Sequence, residues 1–152
     1  MTWFYASGVT RIRFFDEDRR DAGAILCRPG EWTVVSPAER PLIQIRRTGD
    51  TTYLVTSGGE SGSAEMTLEP DDLPCRLPRA AALTLTWPEH TAAIASGKSG
   101  ALNWTLDGKP VGSVRVACRG SVTCDDAPDA ATVMLLYLFS YLMAHADDVD
   151  IV

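Results

Sequence analysis

Three hydroxyl side chains near the end of the chain, Tyr137, Ser140 and Tyr141, stand at i, i+3 and i+4. On a helix that spacing puts them on one face. Val133 and Ala144 extend the face, and Leu135, Phe139 and Leu142 lie opposite. The surrounding residues are apolar, and hydroxyl groups buried among them need partners. Two environments would supply them: carbonyl oxygens of neighbouring strands, or a small cavity that holds a ligand. Tyr137, Ser140 and Tyr141 are therefore the candidate ligand-binding residues.

Other groupings carry less. Glu89-His90 places a carboxylate beside an imidazole, the pairing that suits acid–base work, but neighbours on a tight turn both face solvent. Gly97-Lys98-Ser99 resembles the end of a phosphate-binding loop, yet position 92 is Ala where the loop requires Gly. Gly59-Glu-Ser61-Gly-Ser63 lacks the second glycine of a nucleophile elbow and reads as part of a flexible tip over Ser57–Ser63. Asp16, Glu17, Asp18 and Asp21 could face a calcium ion, but Arg19 and Arg20 interrupt the spacing, which favours a solvated turn. Arg46-Arg47 on a strand would point to opposite faces, and an inward arginine would need a carboxylate. Cys27, Cys75, Cys118 and Cys124 have no zinc-like spacing, and His90 and His145 are isolated. No catalytic residue, metal ligand or cofactor is expected, and the thiols read as reduced.

The element that must position the hydroxyls is Ala130–Ala144, a run with no charge, proline or glycine. Its Leu, Met and Ala residues favour helix. Val133–Phe139 are consecutive large side chains, so at about 100° per residue they cover every face. Such a helix must be surrounded on all sides. A membrane span needs about 20 apolar residues and this run has 15. Aspartates flank it at 125, 126, 129, 147, 148 and 150, and no Lys or Arg follows Arg119. We therefore expect a helix over about 128–146 buried in protein. Asp126-Ala-Pro-Asp129 offers its N-cap and a proline in the first turn. The acidic C-terminal side favours fraying.

The rest of the chain reads as strands. Trp3–Ala6, Thr10–Phe15, Ala22–Arg28, Glu31–Val35, Leu42–Arg47, Thr51–Thr56 and Ala64–Leu68 form a first set, separated by turns such as Pro29-Gly30 and Gly49-Asp50. Pro70–Pro78 carries three prolines and is expected to cross between two halves of the sheet system. Ala82–Trp87, Thr91–Ala95, Ala101–Leu106, Val111–Ala117 and Arg119–Thr123 follow, with Asp107-Gly108 opening a hairpin turn. Ten to twelve short strands with turns every 8–12 residues define a mainly β domain, a barrel or sandwich around one C-terminal helix. The 152 residues suit one domain.

The net charge of −6 lies at the chain's end. Residues 1–119 hold all 14 basic residues and 14 of the 20 acids, so that body is neutral. Such a balance argues against a nucleic-acid partner. Met1–Gly8 has no secretory pattern, and a cytoplasmic location is expected.

Many hairpin-linked strands closed by an apolar C-terminal helix resemble the tubby-like superfamily, which includes the LURP-one-related and phospholipid-scramblase-like proteins. The hairpin Asn103-Trp-Thr-Leu-Asp-Gly-Lys-Pro-Val-Gly-Ser-Val114 is similar to that family's D-G hairpins, and Pro41-Leu-Ile-Gln-Ile-Arg46 echoes the same unit. The resemblance implies a β-barrel wrapped around a central hydrophobic helix. Tubby domains bind phosphoinositides through basic surface residues. This chain has only Lys98, Lys109 and scattered arginines for that task, so the resemblance carries the fold and leaves the activity open.

The expected function is a non-enzymatic binding or scaffolding module for a small molecule or protein. The alternatives are an acidic inhibitor- or immunity-type protein that uses the aspartates at the helix ends, and an enzyme whose site assembles from distant residues.

Overall fold

The computed structural model describes residues 1–69, 79–87, 90–97, 100–125 and 129–145. Twelve strands precede one helix. They are β1 (Thr2–Ser7), β2 (Arg11–Phe15), β3 (Asp21–Arg28), β4 (Glu31–Val35), β5 (Pro41–Arg47) and β6 (Thr52–Ser57), then β7 (Glu60–Glu69), β8 (Arg79–Thr86), β9 (Thr91–Ser96), β10 (Leu102–Leu106), β11 (Lys109–Val114) and β12 (Arg119–Cys124). The helix α1 spans Ala130–Ala144. Each strand pairs antiparallel with its neighbours in sequence, and β1 pairs with β12 to close the barrel.

Alternation builds this wall. In β2, Ile12 and Phe14 are buried and Arg11 and Arg13 exposed; in β5, Ile43 and Ile45 are buried and Gln44 and Arg46 exposed. A period of two sends every second side chain inward, and in a closed barrel inward means toward one enclosed volume. That volume is filled by α1. Val133 through Ser140, Leu142 and Met143 are all buried. Tyr137 packs at a tilt against Tyr5 of β1, with ring centroids 4.4 Å apart, and meets Phe14 of β2 edge-on. On another side Phe139 packs edge-on against Tyr53 of β6 at 5.5 Å. Trp104 of β10 hydrogen-bonds Ser140 from a third direction. An apolar helix with no polar stripe thus finds wall on every side.

One close approach requires a glycine. Gly23 has φ +128°, and a Cβ there would lie 2.4 Å from the Val35 carbonyl oxygen and 2.9 Å from Met134 Cε. It sits at the bulge where the β2–β3 register shifts between Phe14 and Phe15. The bulge bends the wall, and the bare backbone lets the Met134 side chain of α1 close against it.

Several expectations need correction. The helix starts at Ala130, and its cap is Asp129, whose carboxylate accepts from the Thr132 amide at 2.9 Å and hydroxyl at 2.7 Å. Pro128, expected in the first turn, lies outside the described residues, as do Asp126 and Asp147. The expected tip Ser57–Ser63 is a hairpin turning on Gly58-Gly59 alone, with β7 already running from Glu60. Both glycines have positive φ, which suits a two-residue turn between twisted strands. The segment 70–78 lies outside the described residues, but the strands flanking it pair directly, from Glu69 with Arg79 to Ser63 with Thr86. The second set of strands continues the first sheet, so there are not two halves.

Candidate functional site

The barrel has two mouths, and the helix runs between them. At the C-terminal end of α1 the turns after β1, β3 and β5 surround a cavity of about 470 Å³. Its apolar surface comes from Ile12, Trp32, Tyr53 and Leu142, with Tyr141 and Cys27 beside them. Arg28, Arg47 and His145 supply the charged and titratable groups. A cavity of this size with apolar walls and a few polar groups has the character of a small-molecule site.

Strand geometry explains who is there. Trp32 and Tyr53 stand near the starts of β4 and β6, at the rim, and their rings lie 6.1 Å apart. The Tyr53 ring is buried, and its hydroxyl, accessible at the mouth, makes no hydrogen bond among the described residues. Burial raises its pKa, and the positive charge of Arg47 acts in the opposite direction. Arg47 is itself held: Nε donates to the Gly49 carbonyl at 3.0 Å and Nη2 to the Asp50 carbonyl at 2.9 Å. The sequence suggested that an inward arginine at this pair would face a carboxylate. Backbone carbonyls of the next turn take that place, so the guanidinium is oriented without losing its charge. Arg28 carries no ion pair among the described residues. Burial also pushes the Cys27 thiol up.

The three hydroxyls predicted from the helix separate here. Tyr141 lines the cavity and packs at a tilt against His145, the residue after the last helical turn, with ring centroids 4.4 Å apart. Ser140 lies deeper and is fully buried. It donates to the Leu136 carbonyl of its own helix at 2.9 Å and accepts from Trp104 Nε1 at 2.7 Å. Tyr137 is fully buried too, reaching the Ala117 carbonyl at 3.5 Å. Burial, and after it the neighbouring Tyr5, hold its hydroxyl well above the ordinary phenol range. Only Tyr141 of the three borders the cavity.

Trp32, Tyr53 and Arg28 escaped sequence reasoning as site residues, and Arg47 was singled out only as one of a pair whose inward member would need a carboxylate. Their strands were legible, and Trp32 and Tyr53 are aromatic residues close to strand starts. The ring order that brings the ends of β3, β4, β5 and β6 to one mouth was not.

The opposite mouth, at the N-terminal end of α1, has a depression of about 390 Å³ lined by Ser57, Glu60, Trp87, His90, Asp129 and Thr132 among others. His90 pairs with Asp107, Nδ1 to Oδ2 at 2.7 Å, because the β8–β9 and β10–β11 turns meet at this end. Glu89, its expected partner, lies outside the described residues. The Asp107 carboxylate also accepts from the Thr91 amide at 2.9 Å. These bonds, His90's first, lower the Asp107 pKa from its ordinary 3.8. A carboxyl group with a depressed pKa adds stability that is present above the unfolded value and is lost as pH falls through the folded one. His90→Ala should therefore move the Asp107 titration upward toward 3.8, as read by carboxyl carbon NMR, with Thr91 keeping part of the depression. An unmoved titration would mean that the pair is not formed in solution.

Among the described residues no group of three or more His, Cys, Asp or Glu side chains could hold a metal, and no helix is long and apolar enough to cross a membrane. Comparison of the chain with family models, with curated proteins and with solved structures gives no match.

Proposed function

We propose that the chain is a binding module, not an enzyme, built on a tubby-like barrel, with its ligand held at the mouth beside the C-terminal end of α1. The closed antiparallel ring of twelve strands around an apolar C-terminal helix supports the tubby-like reading, as do the Asp107-Gly108 hairpin and its partner strand. The observation that carries the binding function is the cavity of about 470 Å³ at that mouth. It opens between rim turns, and Trp32, Tyr53, Ile12 and Leu142 give it apolar walls. The deep end is closed by packed helix and strand, so a ligand would enter from the rim and meet Tyr141. Tyr137 and Ser140 would act behind it, fixing the helix rather than touching the ligand.

A neutral fluorescent apolar probe, N-phenyl-1-naphthylamine, should bind the folded protein saturably with one site per chain. Cys27→Trp should abolish that binding by filling the mouth while keeping a cooperative melt, since Cys27 is only partly buried. Probe fluorescence that fails to saturate, or that survives Cys27→Trp unchanged, would remove the cavity as the site.

A further inference from the structure

We infer that the ligand of this mouth is a small carboxylate with an apolar body, its charged end held by Arg47, Arg28 and the Tyr53 hydroxyl. The inference rests on the cavity reading above and adds the ligand's chemistry. Three observations converge. The ionisable side chains around the cavity are Arg28, Arg47, His145, Tyr53, Tyr141 and Cys27, and none of these is a carboxylate. Arg47 is fixed by two backbone carbonyls, which leave Nη1 without a bond among the described residues, and its charge is felt at Tyr53. Tyr53 lines the cavity, and its O–H, accessible at the mouth, has no acceptor among the described residues. Two donors and positive charge, set at the edge of an apolar cavity, lack one thing among the described residues: an acceptor that carries negative charge. A carboxylate has two such oxygens, and Arg is the side chain whose planar fork suits them. Ile12, Leu142 and the ring faces of Trp32 and Tyr53 give the rest of the wall a mainly apolar surface, which suits an apolar body on the ligand's other end. The Trp32 and Tyr53 rings, tilted against each other with centroids 6.1 Å apart, would together present one apolar surface to that body.

The probes are two acids, 1-naphthylacetate and decanoate, each with a neutral counterpart, 1-naphthylacetamide and decanol. Binding is read by calorimetry and by the rate of Cys27 alkylation, followed by peptide mass spectrometry, because Cys27 lines the same cavity. At least one acid should bind ten- to a hundredfold more tightly than its neutral counterpart, the range expected of hydrogen bonds to a charged group. It should slow Cys27 alkylation in proportion to occupancy, and higher salt should weaken it. Arg28→Gln and Tyr53→Phe should each weaken binding of the acid by a larger factor than binding of its neutral counterpart, so that the preference for the acid falls. Tyr53→Phe keeps the ring that packs on Phe139, so a fold defect does not confuse the result. Equal binding of acid and neutral compound, or a preference untouched by both variants, would overturn the carboxylate and leave the apolar cavity standing. Failure of all four probes, together with failure of N-phenyl-1-naphthylamine, would overturn the cavity itself.

Discussion

A chain ending at Ala127, without the helix, is expected not to fold. The helix contributes ten buried residues, from Val133 to Met143, to one shared core. Replacing a single buried Leu or Phe by Ala costs about 2–5 kcal/mol. A domain's whole net stability is about 5–15 kcal/mol, so removal of the helix exceeds what the barrel can lose. The inward faces of the twelve strands would then surround a void too wide for them to close. The truncated chain should be insoluble, or soluble with an unfolded far-UV circular dichroism spectrum and no cooperative melt. A soluble product with native-like β signal would show that the wall stands without its filling.

Ser140→Leu is expected to destabilise by roughly 2–6 kcal/mol in urea melts. Two effects add. The larger side chain enters a fully packed position, which costs about 1–3 kcal/mol. It also removes the acceptor of Trp104 Nε1, an indole 1% exposed that loses its 2.7 Å bond. Leaving a buried donor unsatisfied costs a further 1–3 kcal/mol or so. Ser140→Ala isolates the second effect, and the difference between the two variants measures the first. Were the helix face around Ser140 to border empty space, the leucine would be neutral or stabilising. Fully buried Ser140 and its two short hydrogen bonds favour the costly outcome.

What was legible in the sequence follows from range. Alternation along Arg11–Phe14 and the unbroken apolar run of α1 are local patterns, and each fixed an element's kind and inward face. Glycine at 58 and 59 was read as looseness, whereas two positive-φ residues in succession make the tightest kind of hairpin. A strand carbonyl was expected to accept from Ser140; instead its own helix's Leu136 carbonyl does, and an indole 36 residues away donates to it. Nothing in the spacing of Trp104 and Ser140 announces that contact, because it depends on how far α1 enters the barrel. Tyr141 was singled out for its place on a helix face, and the structure sets it at the cavity. The arginines and aromatic rings beside it come from four different strands. They meet because ring closure puts alternate turns at one end, a relation no single stretch of chain contains.

The position of α1 has a consequence for how the protein is made. Eleven of the twelve strand pairings join neighbours in sequence and can form as each hairpin is synthesised. The remaining pairing, β1 with β12, and the helix that fills the interior come last. Chains are made at about 5–20 residues per second, so for several seconds the ribosome carries an incomplete curved sheet whose apolar face has nothing to cover it. Its two unpaired edges, β1 and whichever strand has just emerged, are templates for pairing with another chain. Yield in the cell should thus depend on chaperone supply during that interval. Slowing translation before the helix codons should lower soluble yield even though the finished sequence is unchanged.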